Sequence, residues 1–291
     1  MQIMESMQGK VCLVTGANAG IGKETAIGLA KLGAHVVMVC RDRTKGELAR
    51  EEVLQRGGKG NVELIVADLS AQAAVRAAAA EFLRHHDRLD VLVNNAGAYI
   101  KQRQLTVDGI EMQLAVNHLA PFLLTTLLLD ALKKSSPARV VTVASEGHRF
   151  AWLRFDNLQG ERFWNGWLQY CNTKLMNVLF TRELARKLTG TSVTANCLHP
   201  GVVRSNFARN DVPGWAMDVA GFFMIPPADG ARTSIFLASA PEGAKSSGLY
   251  WVRCKKAAPS SRALDDELAR SLWSVSSVLV GLEGTRKVVT R

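Results

Sequence analysis

The feature that most constrains this chain is a series of six short apolar runs set apart by helix-length segments. The runs cover 11–15 (VCLVT), 35–40 (HVVMVC), 62–67 (VELIVA), 90–93, 139–144 and 191–198. Strands this uniformly apolar have no polar face to show to water, so both sides of the sheet must be covered. Helix-length connections bring successive strands back parallel. The pattern predicts an α/β chain: a single doubly wound parallel sheet with helices on both faces. Helices are expected over 20–32, from the end of the second strand to about 56, and over 71–85, 111–134 and 167–188. No linker or repeat divides the 291 residues. One domain over 9–282 is expected, with an N-terminal tail at 1–8 and a basic tail at 283–291.

Two segments break the alternation. Residues 146–166 carry Trp152, Phe163 and Trp164; residues 202–227 carry Phe207, Trp215, Phe222 and Phe223 before a Pro226-Pro227 stop. Connections this long in a compact chain are commonly lids or binding loops. Their aromatics either line an apolar mouth or pack the lids onto the sheet.

Composition removes several classes. With 47% hydrophobic and 21% charged residues, the chain is neither disordered nor coiled coil. Lys+Arg 36 less Asp+Glu 26 gives +10, scattered rather than blocked, and without a groove-reading motif it does not predict nucleic-acid binding. It does suit a phosphorylated cofactor or loose contact with an anionic membrane. The cysteines (Cys12, Cys40, Cys171, Cys197, Cys254) show no C-x-x-C pair and read as reduced thiols. The longest apolar stretch, 119–132, is interrupted by Asp130 and too short to cross a bilayer. With no secretion signal visible at the start, a cytoplasmic protein is expected. The six histidines show no metal-ligand spacing, His85-His86 adjoin on an expected surface helix, and no metal is expected. No G-x-S-x-G elbow surrounds Ser145, which disfavours a hydrolase.

The first strand runs into Gly16-Ala17-Asn18-Ala19-Gly20-Ile21-Gly22. Glycines permit a tight turn and close phosphate approach, and the following helix start offers free N–H groups. The second strand ends at Cys40 and Arg41, where an acidic residue would favour NAD. A guanidinium there suits the 2′-phosphate of NADP. Asp42 follows and forms a surface pair with Arg41 or Arg43, or contacts ribose.

Tyr170 and Lys174 share a helix face. A nearby ammonium stabilises phenolate and turns a tyrosine into a usable acid/base. Ser145 ends a strand, where open α/β sheets bind ligands; its hydroxyl can donate to a carbonyl oxygen or cap the next turn. Asn117 is polar within an apolar helix and needs hydrogen-bond partners, at a kink or a water.

Taken in order, T-G-x-x-x-G-I-G (Thr15 to Gly22), Asp68, N-N-A-G (Asn94 to Gly97), Asn117, Ser145, Y-x-x-x-K and Pro200-Gly201 resemble the short-chain dehydrogenase/reductases. TGANAGIGKETA, VNHLAPFLLT, DNLQGERF and HPGVVRS are similar to the retinol dehydrogenase branch. The resemblance implies a Rossmann-type fold and NADP(H), with NAD(H) second. It implies cofactor contacts at Gly16, Asn18, Ala19, Gly20, Ile21, Gly22, Arg41, Asp68, Leu69, Asn95, Ala96, Gly97, Tyr170, Lys174, Pro200, Gly201, Val203 and Ser205. Asp68 would meet adenine, although it could equally cap the Ala-rich helix. Tyr170 would exchange the substrate proton, Lys174 would lower its pKa, Ser145 would orient the carbonyl, and Asn117 would support a water relay to Lys174. Ser205 stands where the family has threonine, and Ala144 replaces a serine often found before the catalytic one. The apolar anchor that begins animal membrane-bound members is not visible.

These readings together predict an NADP(H)-dependent oxidoreductase for a small lipophilic carbonyl or alcohol, retinaldehyde-like in the leading case. A broad xenobiotic or steroid carbonyl reductase is the alternative, and a non-catalytic nucleotide-binding regulatory protein the alternative of another class. A homodimer or homotetramer through the 119–132 segment and the Tyr170 helix is the association the family suggests.

Overall fold

A computed structural model describes residues 4–58, 61–201 and 225–282 of the chain. One eight-stranded sheet runs through it in the order β3-β2-β1-β4-β5-β6-β7-β8. Its strands are β1 (Val11–Thr15), β2 (His35–Cys40), β3 (Val62–Val66), β4 (Val91–Asn94), β5 (Ala138–Val143), β6 (Val193–His199), β7 (Tyr250–Val252) and β8 (Lys255–Ala257). All pairings are parallel except β7 with β8. The chain starts in the middle, runs outward to β3, then returns to lay β4 on the other side of β1. That reversal opens a crevice at the carboxyl ends of β1 and β4, where open α/β sheets take ligands.

Strand periodicity sends alternate residues to opposite faces. Cys12, Val14, Val36 and Met38 pack beneath α1 (Gly20–Lys31) and α2 (Arg43–Gly57). Leu13, Val37 and Val39 pack on the other side with α3 (Gln72–His85) and α7 (Gly166–Lys187). Met7, within the expected tail, is buried, and its N–H donates to the Leu32 carbonyl at 2.8 Å.

Three findings refine the expectations. The helix expected over 111–134 is broken into α4 (Met112–Leu114), a π-helical turn at Ala115–Leu119, α5 (Ala120–Leu127) and α6 (Leu129–Lys134). Pro121 has no N–H to return to the Asn117 carbonyl four residues earlier. The ladder shifts there to a longer step, with Ala120 N–H reaching the Ala115 carbonyl.

Beyond β6, the Pro226-Pro227 pair opens a helix, α8 (Pro227–Ser239), because proline is preorganised for a first helical position. It is followed by α9 (Pro241–Lys245), β7, β8 and α10 (Asp266–Leu279). Of the lid expected over 202–227, residues 202–224 lie outside the described residues, together with Val203, Ser205, Phe207, Trp215, Phe222 and Phe223.

The third concerns association. α10 lies across the face formed by α5 and α7. Trp273 packs edge-on to Phe122 at 4.8 Å between centroids and stacks near Phe180 at 6.0 Å, while His118 Nε2 meets Ser276 Oγ at 2.8 Å. Part of the face expected to pair two copies, at Phe122 and Phe180, is therefore packed against the chain's own α10.

Candidate active site

The turn after β1 is built around glycine for two reasons. Gly16 has φ +65°, a left-handed conformation that side chains resist, and a Cβ there would lie 3.0 Å from the Ala96 Cα. A Cβ on Gly22 would run into the Asn95 amide and the Gly16 carbonyl. Thr15 locks this turn to the one after β4: its Oγ1 accepts from the Asn95 and Ala96 N–H groups, each at 3.0 Å. The Asn95 side chain returns a bond to the Thr15 carbonyl at 2.9 Å.

α1 begins immediately beyond. Its N-cap, Ala19, has no side chain to cap with, and the first turn contains no acidic residue. First-turn N–H groups without a side-chain cap, with the helix dipole behind them, suit an anionic phosphate. Asn18 to Gly22 sit at this helix start, as expected.

Arg41 is exposed just past the end of β2. The Asp42 carboxylate caps α2 by accepting from Lys45 N–H at 2.9 Å, and among the described residues it forms no ion pair with Arg41 or Arg43. Asp68 is exposed after β3 and accepts from Ser70 N–H at 3.0 Å. It does not cap the Ala-rich helix; Asp108, from a distant loop, does so at Gln72 N–H, 2.8 Å. Leu69 is half-buried beside Asp68, and Pro200 and Gly201 follow β6 on the same edge.

Deeper in the crevice, Lys174 lies one helical turn below Tyr170 on α7, with its Nζ 5.6 Å from the tyrosine ring centre and donating to the Val143 carbonyl at 3.1 Å. Its burial pushes the ammonium down to about 8. Burial likewise pushes the Tyr170 phenol up to about 12, against a hydrogen bond with Ser145. Among the protein's own groups, burial is the largest influence on the phenol, and the Ser145 hydroxyl is the one that lowers it.

Ser145 takes the capping role that the sequence allowed. It faces Tyr170, and its Oγ caps the 3-10 turn Glu146–Phe150 by accepting from Gly147 N–H at 3.1 Å. Behind it, His148 is fixed in one tautomer: Nε2 accepts from Ser260 N–H at 3.0 Å, so Nδ1 carries the proton donated to the Ser145 carbonyl at 2.7 Å.

Asn117 is fully buried in the π turn and hydrogen-bonds Ala98 and Thr173. Gly97 separates Asn117 from Lys174: a Cβ there would lie 3.4 Å from Asn117 Oδ1 and 3.5 Å from Lys174 Nζ. The sequence reading missed two rings that flank Tyr170. Trp167 stacks on it, with centroids 5.7 Å apart and planes 25° apart, and Tyr99 meets it edge-on at 6.3 Å. Trp167 precedes Tyr170 by three residues, so helical spacing carried that signal; Tyr99 is brought there only by the fold. Of the expected lid aromatics, Trp152 and Phe163 are 54% and 57% exposed and do not pack a lid onto the sheet, while Trp164 is half-buried with its indole N–H donating to the Lys101 carbonyl at 3.3 Å.

This arrangement has counterparts among known proteins. A family model described as short chain dehydrogenase matches residues 10–214. The chain belongs to the short-chain dehydrogenases. Mouse retinol dehydrogenase 14 is 45% identical over 95% of this chain and 87% of its own length. Human retinol dehydrogenase 11 is also 45% identical, over 95% of this chain and 87% of its own. Among solved structures, an uncharacterised protein from Mycobacterium paratuberculosis superposes with a TM-score of 0.79 at 34% identity, covering 96% of each chain. The Pseudomonas aeruginosa RhlG/NADP active-site complex gives 0.71 at 27% identity, covering 87% of this chain and 97% of that one. As a short-chain dehydrogenase the protein is an oxidoreductase acting on CH–OH groups of a small molecule with a nicotinamide cofactor. The glycine turn, the uncapped helix start and the small residues at 95–97 fit such a dinucleotide. No helix among the described residues is long and apolar enough to cross a membrane.

Proposed function

We propose that the protein is an NADP(H)-dependent reductase of lipophilic carbonyls, with a retinaldehyde-like aldehyde as the leading substrate. The observation that carries the reading is the hydrogen-bonded Ser145–Tyr170 pair with Lys174 one turn below, at the carboxyl edge of the sheet. When bound, the nicotinamide supplies the hydride in reduction and accepts it in oxidation. Tyr170 Oη and Ser145 Oγ hold the carbonyl oxygen, and Tyr170 gives it a proton as negative charge develops. Lys174 Nζ stabilises the phenolate that remains and binds the nicotinamide ribose. The Asn117 carbonyl, which lacks an α-helical donor at Pro121, accepts a water that leads protons to Lys174.

Preference for NADP(H) is supported by exposed Arg41 and by the engagement of Asp42 as a helix cap, which leaves positive charge beside the 2′ position. Gly16, Asn18, Ala19, Gly20, Ile21 and Gly22 would hold the pyrophosphate; Asp68 and Leu69 the adenine; Asn95, Ala96, Gly97, Pro200 and Gly201 the nicotinamide side. The retinoid-like substrate is supported by relatives that are retinol dehydrogenases and by the exposed rings of Trp152, Phe163 and Trp167. With Phe150, these rings also favour peripheral contact of the mouth with an anionic bilayer. Cofactor oxidation with NADPH and NADH, across all-trans-retinaldehyde and a panel of aldehydes, ketones and steroids, tests the reading. Fastest turnover of retinaldehyde with NADPH supports it; preference for another carbonyl makes the protein a broad carbonyl reductase; no turnover with nucleotide still bound sinks the mechanism.

A further inference from the structure

At the sheet edge opposite the glycine turns, the amino ends of β2 and β3 meet the carboxyl end of α3. His35 opens β2, and Glu63, second in β3, is in register with Val37. His86 caps the end of α3, with its N–H on the Phe82 carbonyl at 2.9 Å and its ring 4.7 Å from that of Phe82. The three side chains converge. His35 Nε2 lies 2.8 Å from Glu63 Oε1, His86 Nε2 lies 3.1 Å from Glu63 Oε2, and one donor atom from each residue falls within 4.8 Å of the others. The imidazoles meet edge to face at 5.0 Å.

A simple carboxylate–imidazole pair accounts for only half of this. The His86 contact has hydrogen-bond geometry. The His35 contact is close, at 2.8 Å, but Nε2 is shielded from solvent and does not meet Glu63 in good hydrogen-bond geometry. A buried polar nitrogen left so is costly unless something else meets it. Two imidazole nitrogens and a carboxylate are the donor set of a zinc-class ion. Ligand bonds of about 2.0–2.2 Å in a tetrahedral site space donors roughly 3.3 Å apart, so the three donors, within 4.8 Å of one another, need draw in only by side-chain rotation. His35 and Glu63 keep partial exposure, so water can complete the shell.

We infer that His35, Glu63 and His86 form a binding site for a divalent zinc-class ion that clips β2, β3 and the end of α3 together. No local spacing announces it, since the ligands come from three elements. The site is structural: Arg41, at the other end of β2, is roughly 20 Å away at the usual rise of a strand. It does not depend on the proposed substrate or cofactor preference.

The untagged full-length protein, stripped with chelator, is titrated with Zn²⁺ by calorimetry and with Co²⁺ by visible absorption. The inference expects stoichiometric uptake, intense cobalt bands typical of low coordination number, and a raised Tm with zinc. His86→Asn and Glu63→Gln should each weaken metal binding on the order of tenfold or more while leaving nicotinamide-cofactor binding unchanged. Glu63→Gln, at a partly exposed position, keeps the test valid if His86→Asn fails to fold. Failure of wild type to take up a stoichiometric ion, or equal uptake by wild type and Glu63→Gln, would overturn the site.

Discussion

Asn117 clasps the backbone of Ala98 from both sides: its Nδ2 donates to the Ala98 carbonyl at 2.9 Å and its Oδ1 accepts the Ala98 N–H at 2.6 Å. A residue in a helical segment thereby takes the place of a strand partner for the loop after β4. The clasp holds Gly97 beside Lys174 and commits the Asn117 side-chain amide to structure.

Asn117→Ala should therefore lose stability as well as turnover. Orphaning buried backbone groups costs about 2–3 kcal/mol. Urea unfolding should show a lower midpoint alongside reduced kcat. Asn117→Asp, which can still accept from Ala98 but not donate to it, should fall between the two.

Lys174 gives a prediction of sign. Its amine titrates near 8 in the folded protein against an ordinary 10.5, so between those values the unfolded chain binds more protons and stability rises with pH. The cost of burying the charge at neutral pH is on the order of 3 kcal/mol. Lys174→Met should abolish turnover yet unfold later than wild type at pH 7, and should lose the rise in stability above pH 8. In wild type, reductive turnover should decline as pH passes about 8 and the ammonium is lost. Urea midpoints and initial rates across pH check both.

Arg41 and Asp42 separate cofactor choice from helix capping. Arg41→Ala should lower kcat/KM for NADPH about 10- to 100-fold, the worth of a charged hydrogen bond, with NADH little affected. Asp42→Ala should leave the cofactor ratio unchanged and cost about 1 kcal/mol of stability through the lost cap. Steady-state kinetics with both cofactors, paired with melting curves, distinguishes them.

Trp273 bears on association. Because α10 packs on α5 and α7, light scattering should return the mass of one chain at micromolar concentration. Trp273→Ala, which strips contacts from Phe122 and Phe180, should cost about 3 kcal/mol and make the protein self-associate. A stable wild-type dimer would mean that copies meet through another face.

The fold was legible where one physical signal dominated. Continuous apolar runs placed six strands to within a residue or two, because strands covered on both sides leave little room for polar residues. The glycine turn and the Tyr170–Lys174 pair could be read from their spacing, whereas Ser145 and Asn117 drew their meaning from the ordered resemblance to the short-chain dehydrogenase/reductases. The break in the 111–134 helix was hidden, since its cause is Pro121 acting on Asn117 four residues back within an otherwise helical composition. β7 and β8, at three residues each, are too short for alternation to register. α10 buries Ser276 and Ser277 beside Ala269 and Leu272, so its inner face reads as mixed until His118 is found opposite Ser276. Trp167 and Tyr99 lacked a meaning until Tyr170 was placed between them.

The position of α10 also sets an order of events during synthesis. Gln72 and Arg76, near the start of α3, bind the Leu279 and Val280 carbonyls, and the apolar face of α5 and α7 waits for Trp273. A nascent chain can finish β1 to β6 while this surface is still bare, because α10 begins only at Asp266, far beyond the end of β6 at His199. Until α10 leaves the ribosome, Phe122 and Phe180 lack the cover that Trp273 gives them, and a stop codon before Asp266 would make that exposure permanent.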